Sequence, residues 1–208
     1  HLVNRATADV DLNGDDDYED AGETGAVAVS RSWTVAVPET PKPGFAPYAK
    51  TYVPEQPVLK MYADLGDIWL EIPSLGVQVP IVGIPQTEDG WDVTWLNDQA
   101  GWLTGTAYPT LAGNSVLTAH VYNADGKPGP FIGLTNLKYG DQIIIHAWDQ
   151  DYIYEVREFM QITPDDTSLL TKHEDLPWLT LITCKGYDPA TGEYRYRYVV
   201  RAVQVAIK

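Results

Sequence analysis

Residues 179–201 read LTLITCKGYDPATGEYRYRYVVR and include two runs rich in β-branched and aromatic side chains. The first run covers 178–184 and is followed by Gly186 and Pro189, which are typical of a loop. The second run covers 194–207. Successive side chains along each run would face opposite sides of a sheet. This stretch therefore predicts two strands joined by a loop.

Outward from this pair, the same period of two recurs along the chain. It predicts further strands at 67–72, 77–82, 115–118, 142–148 and 152–159. Helical signals are short and lie at 130–137 and 167–171. Many strands and few helices predict an all-β fold, namely a closed antiparallel barrel with one or two short helices.

The charge and the apolar pattern argue against two classes of protein. The 208 residues include 14 Lys and Arg against 29 Asp and Glu, so the formal net charge is −15. A nucleic-acid partner is not expected, because binding phosphates needs a basic face. No run of about 18 apolar residues predicts a membrane-spanning helix within the chain. Since the first residue is His1 rather than Met, we expect any signal peptide or membrane anchor to lie outside this sequence.

The composition changes twice along the chain and predicts three parts. Residues 1–37 form an acidic head, because residues 1–30 hold eight Asp and Glu against Arg5 alone. Residues 38–59 contain six of the 15 prolines and predict an extended linker, which could also cover a groove. Residues 60–208 are predicted to be the compact domain.

The acidic head contains a pattern that resembles a twelve-residue calcium loop of the EF-hand or dockerin type. Residues 9–20 fit D-x-D-x-N-G-x5-D, with Gly14 at the sharp turn. The candidate oxygen ligands are Asp9, Asp11, Asn13, Asp15 and Asp20, with Asp17 as a further candidate. A disordered acidic tail is the alternative, because residues 24–37 are strand-like rather than helical.

Three residue types at predicted strand ends are candidates for chemistry. Cys184 is the only cysteine, which excludes an internal disulfide and any zinc site that needs two cysteines from this chain. His120 also follows a predicted strand and precedes a loop rich in Gly and Pro. Arg195 and Arg197 share one face of the second run, so either could lie beside Cys184. The alternatives are an inert core cysteine, a structural histidine and a solvated basic face.

Together these side chains suit acyl transfer. A thiolate attacks a carbonyl carbon, an imidazole protonates the leaving amine, and a guanidinium stabilises the developing oxyanion. The ordinary pKa values of Cys and His are about 8.5 and 6.5, so two neutral neighbours would predominate unless the site favours the ion pair. A neighbouring arginine would favour it by stabilising the thiolate.

The sequence resembles the sortase family over about residues 66–208. Residues 180–184, TLITC, fit the family's TLxTC signature at every fixed position. Residues 197–202, RYVVRA, resemble the family's arginine followed by a Val-rich strand. Residues 114–120, NSVLTAH, resemble the strand that leads to the family's histidine, with Ala119 where a glycine is usual.

The resemblance implies an eight-stranded barrel with Cys184 as nucleophile, His120 as the acid–base group and Arg197 at the oxyanion. The separation of 13 residues between Cys184 and Arg197 lies within the family's range, and Arg195 is the alternative. Thr183 and Ala119 adjoin the cysteine and the histidine and would support the site or the substrate. The residues around His120 do not assign a sortase class.

The resemblance further implies a cysteine transpeptidase on the surface of a bacterial cell, membrane-anchored in the full-length protein. Such an enzyme cleaves an LPxTG-like sorting signal through a thioacyl-enzyme. It then transfers the protein to an amine of the cell wall or of another protein, while transfer to water makes it a hydrolase. This chemistry requires no cofactor. Two alternatives stay open, a non-catalytic β-barrel module for adhesion or scaffolding at the surface and a general cysteine peptidase.

Overall fold

The computed structural model describes residues 39–208. The acidic head and its candidate calcium ligands, Asp9, Asp11, Asn13, Asp15 and Asp20, lie outside the described residues. Within 39–208, no helix has the length and apolar character needed to cross a membrane.

Eight strands close into a barrel, in the order β1-β2-β5-β6-β9-β10-β8-β7. A separate two-stranded sheet, β3-β4, is inserted between β2 and β5. The strands are β1 (Ala63–Ile72), β2 (Val77–Ile84), β3 (Gln86–Thr87), β4 (Gly90–Trp91), β5 (Ala100–Leu103), β6 (Gly113–Thr118), β7 (Gln142–Ala147), β8 (Gln150–Ile162), β9 (Pro177–Asp188) and β10 (Glu193–Ile207). The predicted all-β, eight-stranded barrel is confirmed.

Two details of the predicted barrel are corrected. Two of its strand pairs, β2 with β5 and β6 with β9, are parallel, whereas the prediction was an antiparallel barrel. Both pairs are joined by long connections, which parallel pairing requires. The short helices are 3₁₀ turns at Val58–Lys60, Pro73–Leu75 and Leu134–Asn136, and residues 167–171 form only a turn. Segments this short cannot offset the cost of nucleating an α-helix.

The strands that carry the candidate site are buried on both faces. Leu179 and Leu181 of β9 belong to the cluster that fills the barrel, together with Leu70 and Tyr154. Ile182 faces the other way, into a second cluster that packs residues 91–96 against the outside of the barrel. A strand buried on both faces reads as a continuous apolar run, which explains LTLITC. The double burial holds this part of β9 in place. Strand β9 continues past Cys184 to Asp188, whereas the sequence predicted a strand that ends at Cys184.

Residues 40–51, here called the covering segment, lie on the barrel. Thr40 donates two hydrogen bonds to the Pro164 carbonyl, and the Thr51 amide donates to the Ala124 carbonyl. Residues 39–208 belong to one compact unit. The covering segment is thus part of this unit, where the proline spacing predicted a linker and a domain boundary at residue 60. Its partners are far away in sequence, so no local period could reveal them.

Candidate functional site

Cys184 and Arg197 lie opposite one another on neighbouring strands. The antiparallel register of β9 and β10 pairs Cys184 with Arg197 directly. Both residues are almost completely buried, with 3% and 2% of their surface exposed. They line a cavity of about 310 Å³ together with Tyr194 and, from the covering segment, Lys42 and Gly44. The guanidinium charge is therefore close to the sulfur.

His120 reaches the same end of the barrel from β6. The parallel register pairs Thr118 with Ile182, and His120 and Cys184 each lie two residues beyond this pair. Side-chain hydrogen bonds tie the two strand ends together. Thr118 Oγ1 donates to the Ile182 carbonyl at 2.9 Å, and Thr183 Oγ1 donates to the Ala119 carbonyl at 3.0 Å. Thr183 and Ala119, both predicted to support the site, thus link the strand of the cysteine to the strand of the histidine.

The two candidate arginines have different surroundings, although strand parity placed them on one face. The Arg197 Nε donates to the Pro41 carbonyl at 2.8 Å, and its Nη1 donates to the Tyr196 carbonyl at 3.3 Å. Arg195 is exposed and pairs with Asp188 at 2.6 Å. Of the two, Arg197 therefore faces the cysteine and Arg195 faces solvent.

The covering segment lies over all three candidate groups. The Phe45 ring centroid is 5.1 Å from that of His120, and Phe45 also lines the cavity at Cys184. The Val121 amide donates to the Pro43 carbonyl, and the Tyr194 hydroxyl donates to the Phe45 carbonyl.

At Gly44 there is no room for a side chain. A Cβ on Gly44 would lie 2.8 Å from Val121 Cγ1 and 2.9 Å from Tyr194 Cε2. The close fit holds the covering segment against Val121 and Tyr194, next to the candidate site.

Burial under the covering segment keeps the Cys184 thiol and the His120 imidazole neutral. Burial raises the pKa of Cys184 to about 12, although the charges of Arg197 and Lys42 favour the thiolate. Burial lowers the pKa of His120 to about 4, although nearby backbone carbonyls, Pro43 first, and the charge of Asp98 favour protonation. His120 is 1% exposed, and neither ring nitrogen has a hydrogen-bond partner among residues 39–208. In this covered state the thiol and the imidazole are therefore both uncharged.

Sequence reasoning missed two residues near His120. The Thr94 backbone acts to raise the pKa of His120, and Thr94 also lines the cavity at Cys184. The exposed carboxylate of Asp98 acts on His120 through its charge. Both lie between β4 and β5, in a stretch without strand periodicity, so no pattern pointed to them.

Comparison with known proteins agrees with this fold. The family model for the sortase domain matches residues 70–205. Sortase D of Bacillus subtilis (strain 168) is 27% identical over 136 residues, which cover 65% of this chain and 62% of that protein. The chain thus spans less than two thirds of the length of this relative.

Two solved structures are also similar. A lid mutant of sortase A from Corynebacterium diphtheriae is 29% identical, with a TM-score of 0.54, over 67% of this chain and 69% of that chain. Sortase C from Clostridium perfringens with the C-terminal cell wall sorting motif is 29% identical, with a TM-score of 0.54, over 66% of this chain and 69% of that chain. The resemblance drawn from the sequence is confirmed. Since the family model matches more than half of the chain, the protein belongs to the sortase family.

Proposed function

We propose that this protein is a cysteine transpeptidase that forms a thioacyl-enzyme on Cys184 and transfers the acyl group to a primary amine. The observation that carries the proposal is the direct pairing of Cys184 with Arg197 at the barrel end that β6 and His120 also reach. Membership of the sortase family supports the same reaction. The chemistry uses side chains of this chain, and no metal takes part in its steps.

In the first half-reaction, the Cys184 thiolate attacks the carbonyl carbon of the scissile peptide bond. The C–S bond forms, and the C–N bond then breaks as the His120 imidazolium gives its proton to the leaving amine. Both groups are neutral beneath the covering segment, so the step requires that the segment leaves the site. Uncovering restores solvent around the sulfur and the imidazole, which removes the burial that disfavours their charged forms.

Arg197 binds the oxyanion in this proposal. Its support is the hydrogen bond from Arg197 Nε to the Pro41 carbonyl, since a guanidinium that binds one carbonyl oxygen can bind that of a substrate once the segment is displaced. Arg195 is a poorer candidate, because its guanidinium already pairs with Asp188.

In the second half-reaction, an amine nitrogen attacks the thioester carbon. A new C–N bond forms, the C–S bond breaks, and the proton from the amine passes to His120 while the Cys184 thiolate leaves. Water in place of the amine gives hydrolysis. Thr183 and Ala119 act as positioning residues, because their hydrogen bond fixes the strand ends that carry the reacting groups.

The proposed donor is a protein with an LPxTG-like sorting signal, and the proposed acceptor is an amine of the cell wall or of a surface protein. Support comes from the Clostridium perfringens sortase C, whose structure includes a C-terminal cell wall sorting motif. Accordingly, we propose that the protein acts at the surface of a bacterial cell, held by an anchor outside residues 1–208. Calcium binding by residues 9–20 of the acidic head stays a prediction.

The test is to incubate the full chain with a small library of LPxTG-like peptides, with and without amine acceptors, and to measure masses. We expect a peptide adduct on Cys184 and a transfer product that needs the amine. Cys184→Ala should form neither, because the chain has no second thiol. A wild-type thiol that forms no adduct with any peptide, even after residues 1–46 are removed, would favour the non-catalytic module. Cleavage without transfer to any amine would favour a general peptidase.

A further inference from the structure

A second cavity, of about 660 Å³, lies outside the barrel and is here called the side groove. One wall is formed by apolar side chains of β2 and the turn before it, and the other by the loop after His120. The lining includes Leu75, Val77, Val79, Pro128, Pro130 and Ile132. The groove is open to solvent, since 40% of Ile132 is exposed. Its shape and lining suit an extended, largely apolar chain.

The side groove lies at the same end of the barrel as the candidate site. The register pairs Ile81 with Ala100 and then Gly101 with Thr118, across β2, β5 and β6. Val79, Asp98 and His120 each lie two residues from one of these pairs, toward the same end.

Gly129 joins the side groove to His120. This glycine lines the groove and packs against His120. A Cβ added to Gly129 would collide with the His120 carbonyl oxygen and would lie 3.1 Å from the His120 Cβ. The loop that carries one wall of the groove is therefore in direct contact with the catalytic histidine of the proposed mechanism.

A single carboxylate faces this groove. Among the residues that line it, Asp98 alone carries a charge. Its Oδ1 accepts a hydrogen bond from Asn123 Nδ2 at 3.4 Å, and its side chain is exposed. The pairing of Gly101 with Thr118 places Asp98 and His120 at the same end of β5 and β6, and the charge of Asp98 favours protonation of His120. A cationic group at this end of the groove would gain a partner and would approach the base that must accept its proton.

The covering segment lines the cavity at Cys184 but not the side groove. The two cavities share no lining residue, so a chain bound in the side groove leaves the cavity at Cys184 free. A transpeptidase needs two approaches, because the acyl chain still occupies its own side when the second substrate attacks the thioester.

We propose that the side groove binds the acyl acceptor, an extended and largely uncharged chain whose primary ammonium pairs with Asp98 beside His120. This proposal rests on the proposed function. The bound ammonium gives one proton to solvent, the free amine attacks the thioester carbon, the C–N bond forms and the C–S bond breaks. The second proton of the attacking nitrogen passes to His120, and the sulfur leaves as thiolate.

The first test measures how the thioacyl-enzyme divides between amine and water. Two amine acceptors are compared. Alanyl-valyl-alaninamide offers an N-terminal amine, and Nα-acetyl-lysine methylamide offers a side-chain amine. Asp98→Asn should raise the KM for the preferred amine about threefold to fivefold, as expected for one exposed ion pair, and lower the ratio of transfer to hydrolysis. Asp125→Asn is the control, because Asp125 belongs to the loop after His120 but does not line the side groove and pairs with Lys50 instead.

The second test needs no turnover. Methyl NMR of the full chain is followed while alanyl-valyl-alaninamide is added, and its N-acetylated form is the uncharged control. We expect shifts at Val79 and Ile132 with the free amine, weaker shifts with the acetylated peptide, and loss of this difference in Asp98→Asn. If the protein forms no thioacyl-enzyme, the proposed function fails, but this titration still reports on the groove. Equal shifts for both peptides, or an unchanged KM in Asp98→Asn, would overturn the proposal.

Discussion

Replacing Phe45 by alanine should make Cys184 react faster with iodoacetamide. Phe45 contacts the His120 ring and lines the cavity at Cys184, so it holds the covering segment over both groups. Thiolate is the nucleophile in alkylation, and burial beneath the segment disfavours it. Loosening the segment therefore raises the fraction of molecules in which the sulfur is solvated and can ionise.

The size of the effect follows from the pKa and the contact. Burial raises the pKa of Cys184 from 9.0 to about 12. At pH 8 the covered thiol is about 10⁻⁴ ionised and an uncovered one about 10⁻¹, so complete uncovering has a limit of about 10³ in rate. An aromatic pair contributes about 0.5–1.5 kcal/mol beyond its buried area. Since about 1.4 kcal/mol is tenfold in an equilibrium constant, Phe45→Ala should react about twofold to tenfold faster.

The assay is alkylation of the full chain at pH 8, followed by intact mass. With one cysteine in the chain, each added mass reports Cys184 directly. Tyr52→Ala is the matched control, because Tyr52 is an aromatic residue of the same stretch and is 88% exposed. Gly44→Val is a second way to displace the segment, since its side chain would collide with Val121 and Tyr194. It should react at least as fast as Phe45→Ala.

If Phe45→Ala and Gly44→Val keep the thermal transition of the wild type but alkylate at the wild-type rate, the covering segment does not control access to the sulfur. The pH profile is an independent check. The midpoint for the wild type should lie above that of either variant, which should move toward 9.0 as the thiol is uncovered.

Two further predictions concern the other candidate groups. Arg197→Lys keeps the charge but loses the planar guanidinium, so the rate of peptide cleavage should fall about 10²–10³-fold. Arg195→Lys should change this rate little. A larger loss in Arg195→Lys than in Arg197→Lys would mean that Arg195 binds the oxyanion. Because the pKa of His120 is about 4 in the folded protein against an ordinary 6.5, the unfolded state binds more protons in that window. Stability should therefore fall as pH decreases from 6.5 to 4, by up to about 3 kcal/mol. His120→Gln should lose less stability over this range in urea unfolding, and an equal loss would contradict the burial argument.

Local pattern was sufficient for the strands but not for their pairing. The alternation at 142–148 and 152–159 predicted β7 and β8, because a side chain on a strand alternates between core and solvent within a few residues. The parallel pairing of β6 with β9 depends on a connection from 118 to 177, and no local period encodes it. Likewise β5, with four residues, is too short to have a period of its own.

The sequence by itself determined the barrel and the sortase signature TLITC that ends at Cys184. Only the tertiary structure decided that Arg197 rather than Arg195 faces the cysteine, that residues 40–51 cover the site, and that the thiol and imidazole beneath them are neutral. The physical reason is how far apart in sequence the interacting residues lie. Strand formation follows from neighbouring side chains, whereas burial and pKa depend on contacts such as that of Pro41 with Arg197, which are 156 residues apart in sequence.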